Sequence, residues 1–228
     1  MLLGIILLSL LVSSCGIGDA KTESVPPATI QMIGNSIFAW NHHGIRAELD
    51  ELYNGLEDKH RTIVNDVAVV GSTINYITEQ WNKVRGAYDV VILDGGANDA
   101  FFNAWWCWTQ EGKEIHDQCK VVIEDASQRL GHLIQDIRSS GVKRVVLVVP
   151  YHLRGPAKNF NPVLDYSIPL WPALCPAPWC TLADLSNWIK PEDESLYYID
   201  GIHPSSKGSR RIARVIYNLI NDSQVTLD

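Results

Sequence analysis

Basic charge is scarce in this chain. Lys and Arg number 19 against 26 Asp and Glu, giving a formal net charge of -7. Phosphate binding needs clustered Lys and Arg. The densest basic group, Lys207, Arg210, Arg211 and Arg214, has the spacing of a solvated helix face. Nucleic acid is therefore not expected as a partner. Zinc-ligand spacing is also missing: no two of the 5 cysteines are set like a structural metal site, so no metal is expected. No repeat or low-complexity stretch is visible. The 228 residues thus read as one domain, with or without insertions, and such a length can bury a substantial core. Hydrophobic residues at 46% and charged residues at 20% fit a soluble globular protein. An apolar run long enough to span a bilayer is missing too. Met1 to Val12 is almost wholly apolar but short of the roughly 20 residues required.

That apolar run reads as the core of a secretory signal peptide. Val12-Ser13-Ser14-Cys15 resembles a bacterial lipobox, which implies that Cys15 becomes the lipidated N-terminus. The pattern departs in one respect, because no Lys or Arg precedes the run. An ordinary signal peptide cleaved nearby, or an uncleaved anchor, remains the alternative. Gly16 follows Cys15, with no Asp to resemble an inner-membrane retention signal. The expected location is the bacterial cell envelope, at the outer membrane if the source has two membranes. Residues 16–27 form a polar tether ending in Pro26-Pro27, and the folded domain is expected over 28–228. Apart from Cys15, the cysteines are Cys107, Cys119, Cys175 and Cys180. An even number in an exported chain suggests disulfides. Local pairs, Cys107–Cys119 and Cys175–Cys180, are expected because each pair shares one loop; free buried thiols are the alternative.

Beyond the tether the pattern alternates between strand and helix. Strands are expected at Ala28 to Ile33, Thr62 to Val70, Tyr88 to Leu93 and Val142 to Val149, with a last short one at Leu196 to Ile199. Helical spacing covers Ile45 to Leu56, Ile74 to Val84, Val121 to Ser139 and Ser206 to Ile220. Alternation of this kind implies right-handed crossovers and a parallel sheet with helices on both faces. Uninterrupted apolar runs such as Val90 to Leu93 suit strands covered on both sides. Two aromatic, cysteine-bearing segments break the rhythm, at about 100–120 and 151–182. The first carries Phe101, Phe102, Trp105, Trp106 and Trp108; the second carries Tyr151, Tyr166, Trp171 and Trp179. Both follow expected strands, and ligands bind beyond the carboxyl ends of the strands in open parallel sheets. Both are therefore expected at the rim of a site.

Three groups of residues carry the chemistry. Ser36, in Gly34-Asn35-Ser36, comes directly after the first strand, where a helix N-terminus favours negative charge. Alone, these residues read more readily as a helix N-cap. Asp200-Gly201-Ile202-His203 supplies what a serine hydroxyl needs to become a nucleophile. His203 can take its proton, and Asp200 can hold the imidazole tautomer. Asn98, in Gly96-Ala97-Asn98-Asp99, and the backbone N–H of Gly71 can donate to an oxyanion. Each is also an ordinary turn residue, but Ser36, Gly71 and Asn98 follow three successive strands of one sheet.

Together these blocks resemble the SGNH, or GDSL-type, hydrolase family over most of residues 28–222. The resemblance rests on Gly34-Asn35-Ser36, Gly71, Gly96-Ala97-Asn98-Asp99 and Asp200-Gly201-Ile202-His203, in that order. Asn35 departs from the family's usual aspartate. The resemblance implies a flavodoxin-like three-layer α/β/α sandwich with a roughly five-stranded parallel sheet. It also implies catalysis by Ser36, Asp200 and His203, and an oxyanion hole of the Ser36 N–H, the Gly71 N–H and the Asn98 side chain. The expected activity is hydrolysis of a carboxylic ester through an acyl-enzyme on Ser36, of esterase, lipase or carbohydrate deacetylase type. No cofactor is expected. Small-molecule, lipid and acylated-glycan esters are all within reach of an envelope location. An O-acyltransferase using the same acyl-enzyme and a non-catalytic envelope binding protein are the competing expectations.

Overall fold

The computed structural model describes residues 28–55, 62–102, 107–108 and 113–222. Segments 1–15 and 16–27 with Cys15, as well as Trp105 and Trp106, lie outside the described residues. Five strands form one parallel sheet in the order β2-β1-β3-β4-β5. They are β1 Thr29–Ile33, β2 Ile63–Asp66, β3 Val90–Leu93, β4 Arg144–Val149 and β5 Cys180–Asp184. The helices are α1 Ser36–Asn54, α2 Ile74–Val84, α3 Ala97–Phe102, α4 Asp117–Ser139, α5 Asn161–Ser167, α6 Trp171–Leu174 and α7 Ser206–Ile220.

Successive strand side chains point to opposite faces, and here both faces are covered. Met32, Ile92, Val146 and Val148 meet Phe38, Ile45 and Leu49 of α1 and Ile212, Ala213 and Ile216 of α7. Ile33, Val91, Leu93, Val145 and Leu147 meet Ile74, Ile77 and Trp81 of α2 and Leu130, Leu133, Ile134 and Ile137 of α4. This is why the strands read as apolar runs without alternation, and it makes the three-layer α/β/α sandwich. On α7 the basic side chains lie away from the core, where Arg210 pairs with Glu48 at 3.7 Å and Arg211 with Asp193 at 3.8 Å.

The fifth strand is not the expected Leu196 to Ile199. Glu194–Leu196 is a 3-10 turn, Tyr197 makes an isolated bridge to Pro204, and Ile199 is 94% exposed. Strand β5 lies instead at the end of the second aromatic segment. It is an edge strand with half-buried Thr181, Leu182 and Asp184, so it lacks the apolar run that marks its neighbours. Residues 151–179 are thus the crossover from β4 to β5, built from 3-10 turns, α5 and α6. The structure joins Cys107 to Cys119 and Cys175 to Cys180, the local pairs that their shared loops favoured.

Helix α1 starts earlier than its apolar spacing suggests and is interrupted. Trp40 has an extended ψ of 154°, and Asn41, His42 and His43 are left-handed, with φ of 52°, 54° and 59°. The regular helix resumes toward Ile45 and Leu49, which are fully buried. A left-handed conformation costs a non-glycine residue roughly 1–2 kcal/mol. Tertiary contacts hold the turn: His43 Nδ1 lies 2.8 Å from Asp66 Oδ2, and Asn41 Nδ2 donates to Ser206 Oγ at 3.3 Å. His42 is exposed. Replacing it with glycine removes its strain at the cost of backbone entropy. His42→Gly is expected to raise the free energy of unfolding by about 0.5–1 kcal/mol. Urea unfolding checks this, and a lower midpoint would mean that the His42 side chain itself supports the turn.

Candidate active site

Strand order places a topological switch point between β1 and β3, since the chain leaves β1 for β2 on one side and continues to β4 and β5 on the other. A crevice opens at such a point. Gly34, just after β1, sits against the side chain of Asp94, just after β3. A Cβ on Gly34 would lie 1.7 Å from Asp94 Oδ1, so no other residue fits. Gln80 of α2 grips the same glycine. Its Oε1 accepts from the Gly34 N–H at 2.9 Å, and its Nε2 donates to the Gly34 carbonyl at 2.9 Å and to Ser72 Oγ at 2.9 Å. One buried amide thereby ties the loop after β1 to the loop after β2.

Asn35 caps α1, its side-chain oxygen accepting from the Ile37 N–H at 2.9 Å. Ser36 follows as the first helical residue, where the backbone N–H has no intrahelical partner and the helix dipole favours an anion. The Asn35 N–H donates to Asp94 Oδ1 at 2.7 Å. Asp94 is 3% exposed, and its Oδ2 has no hydrogen-bond partner among the described residues. Burial pushes the Asp94 carboxyl from the ordinary 3.8 up to about 8, so it is largely uncharged at neutral pH. The amide at position 35 adds no further negative charge to this turn.

The loop between Leu196 and α7 presents His203. Its Nδ1 lies 2.6 Å from Asp200 Oδ2, while Asp200 Oδ1 accepts from the N–H groups of Ile202 at 2.9 Å and His203 at 3.0 Å. Burial raises the Asp200 pKa, but these hydrogen bonds outweigh it and hold the carboxyl below its ordinary value. Asp200 is therefore ionised at neutral pH. Gly201, at φ +71°, lets the loop turn against the backbone of Arg154, whose N–H donates to the Gly201 carbonyl at 2.9 Å. Tyr151, buried at the end of β4, donates its hydroxyl to the Ile202 carbonyl at 2.9 Å. One face of the imidazole is covered by Trp40, whose ring stacks on it at 3.7 Å between centroids and 7° between planes.

Asn98 lies in the first turn of α3. Its Nδ2 donates to the Ser72 carbonyl at 3.0 Å, which fixes the amide orientation and leaves the second N–H for another acceptor. The neighbouring Asp99 accepts from the Ile74 N–H at 3.0 Å and pairs with Arg129 at 3.0 Å, tying α3 to α2 and α4. Ser36, Gly71, Asn98 and His203 all line one cavity of about 230 Å³. Most of its wall is apolar, with Val70, Phe101, Phe102, Leu153, Phe160 and Trp171. Chemically, the arrangement brings a hydroxyl, an imidazole with an anionic partner and two kinds of N–H donor to the mouth of an oily pocket.

The structure therefore brings Ser36, Gly71, Asn98, Asp200 and His203 together. The aromatic segments divide. Phe101, Phe102 and Trp171 line the cavity, and Trp108 packs on Phe101 at 5.0 Å. Tyr166 instead bonds Glu124, and Trp179 lies under Arg138 at 4.7 Å, at the amino edge of the sheet where β5 begins. Only part of the second segment can reach the rim, because its chain must return to start β5. Gln80, Asp94 and Trp40 were not singled out from the sequence. Gln80 lies on a helix and Asp94 directly after the apolar run Val90–Leu93, and their burial, which makes them count, is set by packing. Nothing local marked Trp40.

Comparison with known proteins agrees with this geometry. The sequence model of the GDSL-like lipase/acylhydrolase family matches residues 32–211. Among solved structures, a lipase from a goat rumen metagenome aligns with a TM-score of 0.69 over 87% of this chain and 100% of its own, at 14% identity. An acetyl xylan esterase from Geobacillus stearothermophilus aligns with a TM-score of 0.64 over 89% and 98%, at 16% identity. A lipase/acylhydrolase from Enterococcus faecalis aligns with a TM-score of 0.56 over 88% and 100%, at 16% identity. At these identities the likeness is one of fold. No curated relative matches the chain.

Asp94 makes stability depend on pH in a definite sense. Its pKa is raised on folding, from 3.8 to about 8, so the folded state binds the extra proton between these values. Stability then falls as pH rises through this window and levels off above it. Asp94→Asn removes the titration. The stability of the wild type relative to Asp94→Asn is expected to drop between pH 5 and pH 8, measured by urea unfolding of both proteins. A constant difference would show that Asp94 is ionised throughout.

Proposed function

The chain belongs to the GDSL-like lipase/acylhydrolase family and is an ester-bond hydrolase, and from that premise we propose that it works through an acyl-enzyme on Ser36. The observation that carries this reading is the convergence of Ser36, His203, Gly71 and Asn98 on one cavity, with Asp200 bound to the far nitrogen of His203. Asp200 holds Nδ1 of the imidazole in its N–H form, which leaves Nε2 to take the Ser36 proton. The hydroxyl oxygen attacks the ester carbonyl. The resulting oxyanion accepts hydrogen bonds from the Ser36 N–H, the Gly71 N–H and the free N–H of Asn98. Donors of this kind contribute on the order of 3 kcal/mol each. Collapse expels the alcohol, protonated by His203, and leaves the acyl group on Ser36. Water, deprotonated by His203, then releases the acid.

The walls support an apolar acyl group. A void of about 150 Å³ lined by aliphatic and aromatic side chains already accepts benzene, and this cavity measures about 230 Å³. An acetyl group would leave most of it empty, whereas a chain of about four to eight carbons would fill it. We therefore favour an esterase for medium-length acyl esters over a carbohydrate deacetylase. Anchoring in the cell envelope through a lipid on Cys15 is proposed from the sequence of residues 1–15, and the two disulfides support export.

A panel of p-nitrophenyl esters from acetyl to dodecanoyl tests the reading. The kcat/KM is expected to peak between butyryl and octanoyl. Ser36→Ala and His203→Ala are each expected to lose on the order of 10⁶-fold in kcat, and Asp200→Asn on the order of 10⁴-fold. A maximum at acetyl would move the apolar walls from the acyl group to the alcohol. Full activity in Ser36→Ala would remove the acyl-enzyme altogether, and turnover only with an added acceptor alcohol would mark a transferase.

A further inference from the structure

The break in α1 falls one turn after Ser36, over Trp40 to His43; no proline occurs in the helix, and Asn41 and Gly44, both poor helix formers, sit at the break. Three consecutive non-glycine residues held left-handed persist only where surrounding contacts over-determine them. The strained turn displaces the Trp40 side chain from the path of a continuing helix and lays its indole flat on His203, at 3.7 Å and 7°. The edge of Tyr198 closes on the same indole at 5.5 Å and 67°. Tyr198 is part of the His203 loop, its N–H donating to the His203 carbonyl at 2.7 Å. Trp40 is therefore held by two rings of the loop that carries the base, while its own backbone continues from the residue that carries the hydroxyl.

We propose that Trp40 is a positioning residue for His203, locking the imidazole against rotation and favouring its charged form during turnover. This rests on the reading of His203 as the general base. The hydrogen bond to Asp200 lies in the imidazole plane and acts at one edge of the ring. Rotation about the Cβ–Cγ bond would break the bond to Asp200 and re-aim Nε2, and a flat indole at stacking distance blocks that rotation. The π-face also attracts a cation above it. In the proposed mechanism His203 becomes cationic when it takes the serine proton. The attraction therefore acts on the transition state and the tetrahedral intermediate more than on the resting enzyme, and such differential binding raises kcat and leaves KM alone.

Trp40→Leu and Trp40→Phe in the full chain separate this role from simple packing. Leucine keeps apolar bulk without a π-face, while phenylalanine keeps a smaller π-face. Trp40→Leu is expected to lose about tenfold in kcat, equal to about 1.4 kcal/mol, with KM unchanged. Trp40→Phe is expected to recover most of this. The ring current of a stacked indole should also shift the His203 imidazole C–H proton signals upfield in the wild type, assigned by their loss in His203→Ala, and Trp40→Leu should return them toward ordinary positions. Unchanged kcat in Trp40→Leu alongside an inactive His203→Ala would overturn the role of Trp40 and keep the base. Equal losses in both Trp40 variants with a parallel drop in unfolding midpoint would assign Trp40 to packing and also overturn it. An active His203→Ala would overturn the base and Trp40 together.

Discussion

The peptide linking Gly34 and Asn35 is gripped from two sides by buried side chains. Gln80 takes both backbone groups of Gly34, and Asp94 takes the N–H of Asn35. The close approach is possible only because position 34 has no Cβ. From this fixed turn the chain enters α1, so the first residue of that helix, Ser36, inherits the position of the sheet edge. Through Ser72 the same Gln80 side chain extends to the loop bearing Gly71, and the Ser72 carbonyl in turn holds Asn98. A hydrogen-bonded unit drawn from the ends of β1, β2 and β3 thus presents the Ser36 hydroxyl together with the proposed oxyanion donors. Replacing any member leaves buried partners unsatisfied, which typically costs about 1–3 kcal/mol per group.

Two carboxyl groups beside the cavity have been driven in opposite directions. Asp94 accepts the Asn35 N–H and has no positive partner among the described residues, so burial dominates and raises its pKa to about 8. Asp200 receives three hydrogen bonds, two of them from His203 through its backbone N–H and its Nδ1, and stays ionised. Environment alone separates them. A neutral Asp94 keeps negative charge away from the place where an oxyanion would form, and the amide of Asn35 has the same effect. Asp200, set behind the imidazole, places its charge where it stabilises a histidine cation.

The hydroxyl side of the site stands on the turn directly after β1, tied to Gln80 and Asp94. The imidazole side belongs to a loop between a 3-10 turn and α7, and it needs its own supports. Tyr151 and the Arg154 backbone hold it from beneath. The strained turn after Trp40 ties it to α1, so both halves of the site share one helix.

Much of this was legible in the residues. The order of apolar runs and helical patterns determined a parallel α/β sheet, and α2 and α7 begin and end where their spacing placed them. Ser36, Gly71, Asn98, Asp200 and His203 stood out because each follows a strand or sits in a short turn, where local sequence dictates local geometry. The edge strand β5 escaped notice, since only one side of it pairs and its half-polar pattern gives no apolar run. The grip of Gln80, the raised pKa of Asp94 and the stack of Trp40 on His203 were beyond the sequence for a different reason. Gln80 acts on a glycine 46 positions away and Asn35 binds an acid 59 positions away. Burial and long-range contact are properties of the packed sandwich. The sequence by itself determined which chemical groups reach the carboxyl edge of the sheet. The tertiary structure decided which of them are dry, which are charged and which are held in line, because desolvation and stacking depend on neighbours that only folding supplies.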